Sequence, residues 1–171
     1  MSAAASGPDE TAPSGNAQRS AARLAAVQGL YQMDVAQTDL ADVIAQFVAH
    51  RFGAEGEGGA PGSSDRLFFA ELLRGVVRRQ RDIDPLLDAK LAAGWRLNRI
   101  DSILRAILRA GAFELIERRD VPGKVVISEY VDVAKEFFTG EEPKVVNGVL
   151  DKLAREQRSQ EFASGPAGGR E

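Results

Sequence analysis

The sequence predicts an all-α fold, and three observations carry that expectation. Apolar residues recur three and four positions apart through most of the chain, the period of helices that bury one face. Hydrophobic residues make up 44% of the chain but aromatics only 6%, a balance of Ala, Leu and Val that suits packed helices better than strands, which favour aromatic and β-branched side chains. The pattern is interrupted only at 1–17, 53–64 and 159–171, where Ala, Ser, Gly and Pro dominate. Those stretches hold too few large apolar groups to offset the entropy of ordering them. The reading is therefore one compact domain of about seven helices over 18–158, with disordered tails at 1–17 and 159–171 and a flexible Gly-rich surface loop at 53–64. A chain of 171 residues is of the length that builds a single core.

Taken in order, the first helix is expected over about 18–36, burying Leu24, Val27, Tyr31 and Val35. A second over about 39–52 offers Val43, Ile44, Phe47 and Val48, and the two form a hairpin. Ser64 is a candidate N-cap for a third helix through about Arg81, with Leu67, Phe68, Leu72, Val76 and Val77 inward. Asp84-Pro85 opens a short fourth helix to about Ala93, because proline suits a first helical turn. The longest apolar stripe, Ile100, Ile103, Leu104, Ile107, Leu108, Leu115 and Ile116, places the central helix at 99–117. Asp120 and Pro122 start a sixth, which Thr139-Gly140 ends. Pro143 starts the last. There Val-Val-Asn-Gly-Val-Leu at 145–150 also reads as a hairpin with a tight Asn-Gly turn, but Val146, Val149, Leu150 and Leu153 keep helical spacing and no second strand-like run follows. Helix is favoured.

Several kinds of chemistry are excluded early. No cysteine is present, which removes disulfides, thiolate nucleophiles and cysteine zinc sites. His50 is the only histidine and has no second imidazole with which to hold a metal, so it reads as a solvated surface group. The glycines of 53–64 lack the lysine and spacing of a phosphate-binding loop. Glu129, Asp132 and Glu136 read as a solvated helix face. No metal, cofactor or catalytic centre is expected, and neither is a membrane span or secretory leader; the expected location is the cytoplasm.

Net charge is −3, with 22 basic and 25 acidic residues. One of the former and four of the latter lie in the two tails, leaving 21 of each over 18–158. Any nucleic-acid site must then be a local patch. Arg19 and Arg23 sit four apart at the start of the first helix, on one side of it, with Tyr31 further along. Guanidinium groups on phosphates beside an exposed ring are a combination that holds single-stranded RNA. Arg74, Arg78, Arg79 and Arg81 form a denser run that also fits the solvated stripe of an amphipathic helix.

Three segments together resemble the NusB family of transcription antitermination factors: Arg23 to Tyr31 (RLAAVQGLY), Ile103 to Leu115 (ILRAILRAGAFEL) with the Arg119-Asp-Val-Pro122 and Val126-Ile-Ser-Glu129 that follow, and Lys144 to Lys152 (KVVNGVLDK). They lie in the family's order and cover roughly 19–157. The resemblance implies two helical bundles and resolves 145–150 as helix. It also implies binding of single-stranded boxA RNA in nascent, chiefly ribosomal, transcripts as a heterodimer with NusE, a small-subunit ribosomal protein, within the RNA polymerase elongation complex. Carried over by position, the RNA-facing residues are Arg19, Arg23, Tyr31, Glu141, Lys144 and Val145, and Asp101 falls at the NusE-facing position. At Val145 no ring is available to stack on a base. A related domain begins certain ribosomal RNA cytosine methyltransferases, but no cysteine nucleophile or cofactor-binding strand-loop-helix follows here. A helical protein-protein scaffold without RNA binding is the remaining alternative.

Overall fold

The computed structural model describes the backbone of residues 15–51 and 63–163, and side chains within 16–50 and 66–163. Seven helices and no strand occur among the described residues: α1 (Gly15–Ala36), α2 (Leu40–Arg51), α3 (Ser63–Asp88), α4 (Ser102–Glu117), α5 (Gly123–Phe137), α6 (Glu142–Gln157) and α7 (Ser159–Ala163). The expected loop at 53–64 lies almost wholly outside the described residues, as does most of each expected tail.

Helix α4 is the axle. One side of it packs on α1 and α3, which with α2 form an N-terminal bundle, and the other on α5 and α6. Its own residues explain how one helix serves both. Leu104, Ala106, Ile107, Leu108 and the run Ala110 to Leu115 are all buried, so α4 is enclosed over most of its circumference, with Arg105 and Arg109 bordering its apolar surface. Asp101 starts it: its carboxylate accepts from the backbone N–H of Ile103 at 2.8 Å and Leu104 at 3.3 Å, satisfying donors that have no partner within the helix. The helix thus begins a little after the expected 99, at the residue that follows this cap.

Close approach of α3 and α4 needs a glycine. A Cβ built on Gly75 falls within 3.0 Å of three ring atoms of Phe113, and Phe113 is itself buried, so the ring has nowhere to retreat. Gly75→Ala is expected to destabilise by about 1–2 kcal/mol, the overpacking cost of roughly 1–3 kcal/mol less about 0.5–1 kcal/mol gained by replacing a helical glycine. Chemical denaturation checks it. Phe113→Leu in the same chain should recover part of the loss; if the double variant is additive, the steric account is wrong.

The separate short helix expected from Asp84-Pro85 is not formed. Helix α3 runs through Pro85 to Asp88. The proline is exposed and lies in the last turn, so it removes one hydrogen bond to a carbonyl that water can reach. Ile83 and Leu87 are buried on either side of it, and Arg109 of α4 grips Asp84 with two bonds of 2.9 and 2.8 Å. These contacts hold the helix in phase. Four inward expectations also fail: Tyr31 (38% exposed), Val35 (56%), Leu67 (69%) and Val77 (41%) lie at the surface, each on the border of its apolar stripe. The helical period finds a face but not its edges.

Residues 159–163, expected in the C-terminal tail, are helical instead. The Asn147-Gly148 pair sits inside α6, as helical spacing predicts.

Candidate nucleic-acid interface

At the start of α1, the ring of Phe68 on α3 collects three guanidinium groups: Arg19 at 5.8 Å, Arg23 at 5.2 Å and Arg118 at 5.2 Å from its centroid. Only Arg19 is available to a ligand. Arg118 is held by Glu71 at 2.8 Å and by Asp120 at 2.9 and 3.0 Å, a fork-on-fork arrangement that holds the Asp120 carboxyl down at about 2.

Arg23 is the clearest departure from expectation. Proposed from the sequence as an RNA contact, it is 2% exposed, with its Nε donating to both carboxylate oxygens of Glu114 at 3.1 and 3.0 Å. Tyr130 donates its hydroxyl to the same carboxylate at 2.9 Å, and Glu129 lies 3.6 Å from the guanidinium. Burial alone would depress the Arg23 pKa; the hydrogen bonds and charge of Glu114 more than reverse that. Burial pushes the Tyr130 hydroxyl well up, helped by the neighbouring Glu114 charge, so it remains a donor. Arg23 is thus a core cation. Four-residue spacing places Arg19 and Arg23 on one side of α1, but that side faces α3 and α4 one turn into the helix. Glu129, read as solvated, is half-buried and accepts from Ser20 Oγ at 3.0 and 2.8 Å.

Arg19 is exposed and has no ion-pair partner among the described residues. It borders an open groove of about 410 Å³ with Asn16, Gln18, Leu67 and Glu71. Tyr31 is also exposed, but it lies three turns further along α1, about 18 Å by helix rise, and about a third of a turn round. The aromatic and the cation are therefore two places rather than one patch.

The second cluster opens α6. Glu141 and Lys144 are exposed, with 3.9 Å between their charged groups, a weak surface pair. Val145 is half-buried and helps wall a groove of about 250 Å³ with Leu91, Trp95, Gly148 and Lys152. Trp95, not singled out from the sequence, is 40% exposed there. The signal that could have found it was simply its presence as the only tryptophan in a polar, glycine-containing segment.

A third region surrounds Asp101, whose carboxylate is engaged as the α4 cap. Close by in sequence, Arg105 is fixed by Asp34 at 2.5 Å, by the carbonyls of Leu97 and Ile100 at 3.0 and 3.3 Å and by Ser102 Oγ at 3.2 Å. Arg109 with Asp84 and Arg105 with Asp34 line a cleft of about 610 Å³, where Asp88 accepts from the Leu97 N–H at 3.0 Å. Arg74, Arg78 and Arg81 are exposed, while Arg79 binds Asp82 at 3.3 Å and also Glu117, the solvated stripe that the sequence allowed. Among the described residues no group of three or more His, Asp or Glu is placed to hold a metal, and no helix is long and apolar enough to cross a membrane.

A model described as the NusB family matches residues 20–155, from the first turns of α1 almost to the end of α6. The chain is 55% identical over 148 residues to the transcription antitermination protein NusB of Rhodopseudomonas palustris (strain BisB18), covering 86% of this chain and 88% of that protein. Among solved structures, T. maritima NusB superposes with a TM-score of 0.74 at 26% identity, over 90% of this chain and 99% of that one. A chain in a crystal structure of antitermination factors NusB and NusE in complex with dsRNA shares the fold with a TM-score of 0.69 at 24% identity, over 81% and 97%. With a family match that runs from α1 to α6 and more than half of the aligned residues identical to a named relative, this chain belongs to the NusB family.

Proposed function

We propose that the chain is a transcription antitermination factor that binds single-stranded boxA RNA of nascent transcripts together with NusE and joins the RNA polymerase elongation complex. The observation that carries this reading is the 55% identity, over most of both chains, with a protein named for antitermination. The surface supports it. Arg19 and Lys144 are exposed cations at two helix starts, and neither is needed to hold the core. The mechanism is binding rather than chemistry: cations follow the RNA backbone, polar edges read unstacked bases, and NusE adds contact surface and raises the effective concentration of each component for the other. Asp101 would face NusE with the carboxylate that also caps α4, so its loss would act on both.

Arg19→Ala and Lys144→Ala are each expected to weaken RNA binding by about 3- to 10-fold and to lower the slope of log affinity against log salt by about 0.7. Thermal stability should stay within about 0.5 kcal/mol, since both side chains are exposed. Fluorescence anisotropy of a short boxA RNA, a scrambled strand and a duplex, with and without NusE at two salt concentrations, tests the reading. Preference for the boxA strand that grows with NusE supports it. Absent binding to all three would leave a helical scaffold, and equal binding to all three would overturn the preference for boxA.

A further inference from the structure

The groove at the start of α6 offers more than the site residues carried over by position. Its wall on the far side is the turn-rich segment 89–100, where Gly94 adopts φ +90°, a conformation glycine tolerates best. The backbone N–H of Trp95 closes that turn on the Ala92 carbonyl at 2.9 Å. The indole is thus presented by a built turn and left 40% exposed. Opposite it, Gly148 and Lys152 line the groove, and Lys144 stands one turn before the glycine on the same stripe of α6, outside the lining. The two lysines bracket the glycine at about 12 Å along the axis, comparable to two backbone steps of an extended nucleic-acid strand. A Cβ built on Gly148 meets nothing within 4 Å, so α6 faces open space at that position.

Charge and size both select the occupant. Lys152 is exposed and without an ion-pair partner among the described residues, and Lys144 has only the 3.9 Å contact with Glu141. The acid nearest Lys90, Glu156, is already taken by it at 2.5 Å. Glu141 remains at the groove's edge, an acceptor suited to the amino or imino N–H of a base. At about 250 Å³ the groove falls below the roughly 300–1,000 Å³ of pockets for drug-sized ligands. It fits one flat ring system.

We propose that this groove holds one unstacked RNA base against the face of Trp95, with Lys144 and Lys152 on the flanking phosphates and Glu141 on the base edge. Trp95 then supplies, from the loop before α4, the stacking ring that α6 lacks at Val145. The proposal rests on the reading above that the chain binds single-stranded RNA.

The test uses the full chain with NusE and a labelled boxA RNA strand. Trp95→Ala should weaken binding about 10- to 100-fold, within the range seen when base-stacking rings are removed, and Trp95→Phe should weaken it less. Gly148→Leu fills the groove from α6 and should weaken binding comparably while helicity and melting temperature hold. Because the chain has a single tryptophan, 5-fluorotryptophan labelling gives one ¹⁹F resonance from it, and boxA RNA should shift that resonance at the concentration at which anisotropy saturates. RNA that binds wild type and Trp95→Ala equally, or leaves the resonance unmoved, overturns the stacking role while the RNA-binding reading stands. Absence of RNA binding by the wild-type complex overturns both.

Discussion

Replacing Glu114 with alanine should cost about 3–5 kcal/mol and lower the melting temperature by roughly 10–15 °C. Glu114 is fully buried and Arg23 is 2% exposed, so the substitution strands a guanidinium in the core with no carboxylate except Glu129 at 3.6 Å. Removing one member of a buried pair typically carries that penalty because the surviving charge cannot reach water, and a domain of this length loses about 2–4 °C per kcal/mol. The Tyr130 hydroxyl loses its acceptor as well. Arg23→Ala should be destabilising for the mirror-image reason. Replacing both, as Arg23→Met with Glu114→Met, should recover much of the loss, since apolar side chains of similar volume commonly match or exceed a buried ion pair. Differential scanning calorimetry of the four proteins decides the matter. If Arg23→Ala melts with wild type while RNA affinity falls, Arg23 belongs to the RNA surface after all and the buried arrangement is wrong.

That cluster shows where sequence reasoning stops. Period-of-four spacing puts Arg19 and Arg23 on one side of α1, and this is correct. Whether that side meets solvent depends on where α4 and α5 arrive, and Glu114 comes 91 residues later in the chain, with Tyr130 later still. The same limit explains Pro85. Local preference ends a helix before proline, yet the contacts of Ile83, Leu87 and Asp84 with the rest of the core outweigh one missing hydrogen bond. By contrast α5 and α6 are legible in advance because each is a long apolar stripe with a proline at its start, Pro122 and Pro143, and α4 is legible from its stripe alone, its start falling at the Asp101 cap rather than at the expected 99. The site divides similarly. Exposed cations at helix starts, Arg19 and Lys144, are visible in the sequence. Trp95 is not, because its placement comes from a turn with no period to read, set against a helix far downstream.

The C-terminal end carries the other large expected effect. Arg158→Ala should destabilise by about 3–4 kcal/mol, although this residue stands at the margin of the domain that the sequence suggests. Its guanidinium is 3% exposed and donates to the carbonyls of Leu115 at 2.9 Å, Val121 at 2.6 Å, Glu114 at 3.2 Å and Arg118 at 2.9 Å. Three of these belong to the last turn of α4 and its cap, where the helix dipole favours a cation; the Glu114 and Arg118 carbonyls also accept from the backbone N–H of Arg118 at 2.9 Å and of Val121 at 3.1 Å, so the guanidinium is the second donor to those two. Alanine would take the donor from the Leu115 and Val121 carbonyls, at about 1–3 kcal/mol apiece before relaxation and water entry, while the other two keep their backbone donors. The neighbouring α7 extends the same device. Glu161 accepts from the backbone N–H of Gly123 at 2.6 Å, supplying the start of α5 with the acceptor that Pro122 cannot, and bonds Arg158 at 3.2 Å. One short segment therefore fastens the end of α4 and the beginning of α5. Arg158→Lys should rescue little, because a single ammonium cannot reach four carbonyls spread around a planar fork. Glu161→Ala should cost only about 1 kcal/mol, since one exposed partner is lost. Urea denaturation orders the three: Arg158→Ala and Arg158→Lys close together and well below Glu161→Ala. An Arg158→Lys variant as stable as wild type would mean that charge at the helix end, rather than the fork of hydrogen bonds, does the fastening.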